Sequence, residues 1–353
     1  MGKPFQRVGR FSRPIAMDLG TTSVLVAVRG RGIVLQEPSV VAVERQTGRV
    51  LRAGEEAREM LGRTPGNLIA ARPLRAGVIA DYTIAQAMIQ MFLRKAAPSR
   101  VLKPLVLLCV PSGISEVEER AVVDAGLQAG ARRVYLMEEP LAAALGAGID
   151  ISRPEGHMVV DIGGGTTDVT VTALNGVVTS SCLQVAGDQF DQALMQYIRQ
   201  KHDLLIGLRT AEAVKQAIGQ VYGETDKALD VKGRCLSTGL PRQVSVTAQE
   251  TTEAFAPAAE AIVTAVQTVL ERTPPELAAD VAISGILLTG GGSLMRGMDA
   301  LLTARTGIET TIAEHPLTCV ADGLEQTLSQ LHRRQDGVMN FTRRRMYSAA
   351  PST

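Results

Sequence analysis

Asp161 ends the apolar run Val159-Val160 and is followed by Ile162, three glycines (Gly163, Gly164, Gly165), Thr166 and Thr167. These residue types suit a phosphate chain. Glycines leave backbone N–H groups unscreened by Cβ atoms, and the threonines add hydroxyl donors. A carboxylate beside phosphates calls for a divalent cation between them, usually Mg²⁺ held through water. For a single copy, a plain glycine-rich hairpin with a capping Asp is the competing reading. The grammar recurs, however. Ile15-Ala16-Met17 runs into Asp18, then Leu19, Gly20, Thr21 and Thr22, and Ile286-Leu287-Leu288-Thr289 runs into Gly290, Gly291, Gly292 and Ser293. Asp18 and Asp161 are the expected metal-side carboxylates. Their two hairpins suggest an internal duplication that grips one phosphate chain from opposite sides. Neither the P-loop pattern nor the dinucleotide fingerprint is complete anywhere, so the glycines serve another fold.

The elements around these turns follow from periodicity. Val169, Val171 and Ala173 alternate with Thr170 and Thr172, which predicts a half-buried strand leaving the central turn, and Val24–Val28 leaves the first one. Gly54–Leu61 reads as a short helix ending at Gly62. Ile84–Lys95 has Met88, Met91 and Phe92 on one helical face, a core pattern rather than a ligand box. Ser115 with Glu118 three residues on has capping-box spacing. Glu119 reads as a solvated neighbour, and Glu138 and Glu139 as first-turn charges rather than catalytic acids. Leu141–Gly148 is Ala-rich, suited to close packing between two halves. Phe190–His202 is amphipathic, and Thr210 is a candidate cap for a helix in which Glu212 and Lys215 lie one turn apart, a spacing for a surface pair. Ala254–Glu271 is a long helix closed by Thr273-Pro274-Pro275, and a last helix follows Asp322.

Composition narrows the function. A chain of 353 residues with 45% hydrophobic and 21% charged residues suits two soluble domains around a cleft. A net charge of +1, 3% aromatic residues and no Trp give no footprint for nucleic acid. The longest clear apolar run, Leu105–Val110, is far too short to span a bilayer. Cys109, Cys182, Cys235 and Cys319 are scattered and read as small buried residues, without metal-ligand spacing. In residues 3–13, Phe5, Val8 and Phe11 recur every third position between Lys3, Arg7, Arg10 and Arg13. On a helix this is an interfacial anchor, although Gly9 and the short length allow an unfolded basic leader equally well.

The chain resembles the actin-like ATPases, and within them the MreB and Mbl bacterial actin homologues. The likeness runs from about residue 14 to about residue 330. It is carried by Asp18-Leu19-Gly20-Thr21, Arg63-Thr64-Pro65-Gly66-Asn67, Arg72-Pro73-Leu74, Gly77-Val78-Ile79-Ala80-Asp81 and Val110-Pro111-Ser112-Gly113-Ile114. Glu138-Glu139-Pro140, Val185-Ala186-Gly187-Asp188, Thr238-Gly239-Leu240-Pro241 and Thr273-Pro274-Pro275-Glu276-Leu277 complete it. The resemblance implies an α/β actin fold, two halves around a nucleotide cleft, each with a small inserted subdomain. Its parts would be residues 14–38, 72–150 and 320–332 for the first core, with 39–71 inserted. Residues 151–186 and 252–319 would form the second core, with 187–251 inserted. A basic leader, 1–13, and a basic tail, 333–353, would flank them.

The resemblance further implies ATP and Mg²⁺ as cofactors and an ATP-dependent filament that sets cell shape and organises wall synthesis. Hydrolysis would be slow, with Glu118 and Thr166 orienting water near Asp161. The Glu212-x-x-Lys215 segment would lie against the adenosine, and the glycines from Gly290 would let base and ribose approach the backbone. Implied partners are further copies of the chain, membrane proteins of the elongation machinery and an anionic membrane surface. The loop carrying Val101 and Leu102 would insert into that surface, with the protein peripheral at the inner face of the cell membrane. Thr22-Ser23 replaces the family's usual Ala-Asn, and the tail's Arg343-Arg344-Arg345 lies outside the familiar pattern. A heat-shock chaperone would be expected to continue past Thr353 with a substrate-binding region. A small-molecule kinase would need an acceptor pocket, and a non-hydrolysing polymer would differ only at the catalytic carboxylate.

Overall fold

The computed structural model describes residues 13–60, 66–75, 78–97, 103–331 and 347–348. The described residues form two compact units, one up to Arg153 and again from Thr318, the other Pro154–Leu317. In the first unit, β1 (Ile15–Leu19) and β2 (Ser23–Val28) form an antiparallel hairpin in the register Ile15↔Val28 to Leu19↔Val24. Next come β3 (Gly32–Pro38), β4 (Val41–Glu44), β5 (Val50–Ala53), α1 (Glu55–Arg58), β6 (Leu68–Ala71), β7 (Leu74–Arg75) and β8 (Val78–Ile79). Strands β5, β4 and β6 make a separate three-stranded sheet. Helix α1 is a single turn, shorter than the sequence suggests, and residues 61–65 lie outside the described residues.

Helix α2 (Tyr82–Ala96) starts at Asp81, whose carboxylate accepts from the Ile84 amide at 3.0 Å. Its Met88 and Phe92 are buried, as the helical spacing predicts, and so is Ile89, while Met91 is only partly buried. They share one core cluster with residues of β1, β2 and β9 (Leu105–Val110). Helix α3 (Glu116–Gln128), β10 (Arg133–Glu138) and α4 (Glu139–Gly146) complete the run. Strands β1, β9 and β10 are parallel, so their carboxyl ends share one edge of the sheet.

The second unit opens with β11 (His157–Ile162), β12 (Thr167–Ala173) and β13 (Gly176–Leu183), an antiparallel meander. Helix α5 (Gly187–His202), β14 (Leu204–Leu205), α6 (Leu208–Ile218), β15 (Ala228–Cys235) and β16 (Pro241–Thr247) follow. The cap of α6 is Gly207, and Thr210 sits inside the first turn, donating its amide to the Gly207 carbonyl. Helix α7 (Ala248–Arg272) begins almost two turns earlier than the apolar pattern indicates, because Thr247 and Glu250 form a reciprocal capping box. The Pro-Pro pair then both closes α7 and starts α8 (Pro275–Ser284). Strand β17 (Ile286–Thr289), a 3₁₀ turn at Gly291–Leu294, α9 (Met298–Thr306) and β18 (Thr310–Ile312) finish the unit. Its main sheet has the order β13-β12-β11-β17-β18, and Phe190 meets Phe255 edge to face in the core, centroids 5.1 Å apart.

Helix α10 (Cys319–Leu331) and β19 (Tyr347–Ser348) return to the first unit, where the sheet order is β19-β10-β9-β1-β2-β3. The small residues of α4 pack within this unit, against α10. A Cβ on Gly146 would lie 1.8 Å from the Cys319 carbonyl oxygen, and one on Gly323 would lie 1.9 Å from that of Ala142. Two backbones touch there. No helix among the described residues is long and apolar enough to cross a membrane. Cys182 on β13 is exposed, contrary to expectation, whereas Cys109, Cys235 and Cys319 are buried.

Candidate functional site

The first hairpin turn is built for close backbone approach. A Cβ on Gly20 would sit 2.7 Å from the Ser23 carbonyl oxygen, so the turn tolerates no side chain there. Asp18 is half-buried near the end of β1, and Thr21 is buried. The Thr22 carbonyl accepts from the Ser39 amide at 2.9 Å. Its hydroxyl is buried and has no hydrogen-bond partner among the described residues. Such an orphan costs about 1–3 kcal/mol unless something else satisfies it, and a ligand oxygen at this turn would do so.

In the second unit, β11 ends in Asp161 and Ile162, paired antiparallel with Asp168 and Thr167 of β12. Between them, the Gly163 amide donates to the Thr166 carbonyl at 2.9 Å and closes the turn. Gly163 is therefore a turn residue and not an amide donor to a ligand. The turn is also held from outside. The Gly187 amide donates to the Gly163 carbonyl at 3.1 Å, and the Asp188 amide to the Gly164 carbonyl at 2.7 Å. Gly164 and Gly165 remain partly exposed, and Thr166 is buried. The Thr167 hydroxyl, expected to face phosphate, is fully buried and donates to the Val185 carbonyl at 2.7 Å, tying β12 to the segment before α5.

The third glycine turn packs on the end of β11. Gly290 has φ 78°, and a Cβ there would lie 2.2 Å from Asp161 Oδ1 and 2.4 Å from the Ile162 carbonyl oxygen. A Cβ on Gly292 would lie 2.3 Å from Ile162 Cγ2, and Gly291 starts the 3₁₀ turn. Gly290 and Gly292 thus admit Asp161 and Ile162 at close range. The Ser293 hydroxyl donates to the Gly290 carbonyl at 2.7 Å. Burial pushes the Asp161 carboxyl up to about 6, against the opposing effect of the Thr289 hydroxyl on the neighbouring strand. A cation would reverse that shift, since an adjacent positive charge favours the ionised form.

Glu118 forms the capping box. Its Oε2 accepts from the Ser115 amide at 2.8 Å and from the Ser115 hydroxyl at 2.7 Å, and these bonds hold its carboxyl below the usual range. The capping-box spacing is thus realised, and the water-orienting role implied by the resemblance falls on a carboxylate already held by Ser115. Glu119, expected to be solvated, is buried. Glu139 opens α4 at the carboxyl end of β10, on the sheet edge where β1 also ends. Lys215 does not form the surface pair its spacing suggests. Its ammonium donates to the Gly187 carbonyl and to Asp191 Oδ2, both at 2.8 Å, while the Glu212 carboxylate accepts from Gln216 at 3.5 Å. Asp191 was not legible as a site residue, because 24 positions separate it from Lys215. Among the described residues no three His, Cys, Asp or Glu side chains converge on a metal position, so protein carboxylates alone form no cage. Phe5, Val8, Phe11, Val101 and Leu102 lie outside the described residues.

An Asp-ended strand running through a glycine turn into a second strand, once in each of two α/β units, defines an actin-like ATPase. Residues 12–336 match the family described as MreB/Mbl protein, and the chain belongs to it. It is 50% identical over 325 residues to the cell shape-determining protein Mbl of Bacillus cereus, covering 92% of this chain and 98% of that one. The crystal structure of MreB 5 of Spiroplasma citri bound to AMPPNP matches with a TM-score of 0.87 and 36% identity, over 92% of this chain and 99% of the other. The MamK double helical filament matches with a TM-score of 0.75 and 25% identity, over 90% and 99% of the two chains.

Proposed function

We propose that this chain is an ATP-dependent, membrane-associated filament protein that determines cell shape and organises cell-wall synthesis. The observation that carries the nucleotide part is the buried Asp161, pressed against Gly290 at the end of β11 with a glycine turn on either side. The AMPPNP-bound relative supports the ligand class, the MamK filament supports self-assembly, and the Mbl relative supports the role in cell shape.

When bound, Mg²⁺ supplies charge neutralisation along the phosphates. Asp18 and Asp161 would hold it through water, and the orphaned Thr22 hydroxyl and the raised Asp161 carboxyl both suit such a ligand. Gly20, Thr21, Thr22, Gly164, Gly165 and Thr166 bind and orient the phosphate chain. Slow hydrolysis then needs one carboxylate to orient water. Glu118 is held in its cap, and we assign the role to Glu139, which stands on the carboxyl edge of parallel strands where ligands collect. In a non-hydrolysing polymer neither carboxylate would matter. Titration calorimetry with ATP tests the reading. Wild type should bind more tightly with Mg²⁺ than without, and Asp161→Ala should lose that Mg²⁺-dependent gain. Equal affinity in the variant would overturn the assignment.

A further inference from the structure

Helices α5 and α6 meet at a buried ion pair joined to the central glycine turn. Lys215 of α6 is 14% exposed and Asp191 of α5 is 4% exposed at their side chains. The ammonium bridges Asp191 Oδ2 and the Gly187 carbonyl. The other Asp191 oxygen is buried and has no hydrogen-bond partner among the described residues. A buried, half-satisfied ion pair adds little net stability, so its effect lies in where it holds the ammonium.

That position has a consequence along the backbone. The Gly187 carbonyl and the Asp188 amide belong to one peptide unit. The carbonyl accepts from Lys215, and the amide donates to the Gly164 carbonyl at 2.7 Å. The Gly164 carbonyl in turn shares its peptide unit with the Gly165 amide. A positive charge on the first carbonyl polarises both peptide units in the same sense, because hydrogen bonds in a chain strengthen one another. Gly187 also lies against the turn, where an added Cβ would stand 3.4 Å from the Gly163 carbonyl oxygen and from Gly164 Cα. We propose that Asp191 is a positioning residue for the phosphate turn. It holds the Lys215 ammonium on the Gly187 carbonyl, and the charge is relayed through the Asp188–Gly164 hydrogen bond to the Gly165 amide. This rests on the nucleotide reading above, and it gives Lys215 an effect at the phosphate end of the ligand.

Calorimetric titration of full-length protein with adenosine, ADP and ATP in Mg²⁺ tests the relay, using Asp191→Asn, Lys215→Met, the double variant and Lys215→Arg. Glu250→Gln, a change to a partly buried pair elsewhere in the same unit, controls for general loosening. Both single variants should lose about tenfold in ATP affinity, the effect of deleting a charged hydrogen bond. The loss should shrink for ADP and vanish for adenosine. The double variant should be no worse than Lys215→Met, Lys215→Arg should recover part of the loss, and Glu250→Gln should leave the ATP-to-adenosine ratio unchanged. Equal losses for adenosine and ATP would return Lys215 to the nucleoside, and unchanged ATP binding in Asp191→Asn would end the proposal. If Asp191→Asn fails to fold, the nucleotide series on Lys215→Met decides alone. Wild-type protein that binds no ATP would refute the nucleotide reading itself.

Discussion

Asp161 sets two demands against each other. Its carboxyl titrates at about 6 in the folded chain against an ordinary 3.8, because burial penalises the charge. Between those values the folded chain keeps a proton that the unfolded chain has released. Asp161 therefore contributes stability below about pH 4 that is lost as pH rises through 6. The loss amounts to about 2–3 kcal/mol, at about 1.4 kcal/mol per pH unit. Asp161→Asn cannot ionise, so above pH 6 the nucleotide-free variant should be more stable than wild type by up to that amount. Urea unfolding of both proteins at pH 4 and pH 7.5 checks it, and a difference independent of pH would refute the burial argument. At Glu118 the cap makes a separate claim. Glu118→Ala should cost about 0.5–2 kcal/mol of stability, the usual price of a lost N-cap partner, and leave phosphate release near the wild-type rate. Glu139→Ala should slow release with ATP affinity preserved. Single-turnover phosphate release distinguishes them, and the reverse pattern would restore Glu118 as the catalytic carboxylate.

At the scale of elements, the contact of α4 with α10 is the least forgiving. Gly323→Ala would place a methyl group 1.9 Å from the Ala142 carbonyl oxygen, so two helix backbones must separate. The expected cost is about 1–3 kcal/mol or more. Gly66→Ala, where nothing lies within 4 Å, should stay within about 0.5 kcal/mol. Equal thermal midpoints for the two variants would contradict the packing. This contact also shows what a sequence can disclose. The small residues of α4 announced a close neighbour, but nothing local could say that it comes from residues 319–331. The strands flanking Asp18 and Asp161 were legible as strands from their β-branched runs, but the half-buried reading of Val169–Ala173 fails. Every residue of β12 is buried, Thr170 and Thr172 included, because both faces of the sheet are covered. The Gly290 turn was legible as a turn, but its steric partner Ile162, more than 100 positions away, was not. The hydroxyl partners of Thr167 and Ser293 were illegible for a related reason. A hydroxyl's partner depends on which carbonyl the fold brings near, here Val185 and Gly290.

For the whole molecule, assembly and membrane attachment belong to one argument. A weak apolar contact repeated along a filament gains avidity without any new contact. Deleting residues 1–13 and changing Val101 and Leu102 to Ser should each weaken co-sedimentation of filaments with anionic liposomes, and together remove most of it. Equal co-sedimentation of the combined variant and wild type would refute the attachment. The central claim is nucleotide-dependent assembly, and sedimentation of purified protein, with electron microscopy of the pellet, measures it most directly. With ATP and Mg²⁺ at micromolar protein, wild type should pellet as filaments, and Asp161→Ala should stay in the supernatant. A strictly monomeric wild-type profile with ATP and Mg²⁺ across salt concentrations would contradict the account and favour a small-molecule kinase built on the same fold.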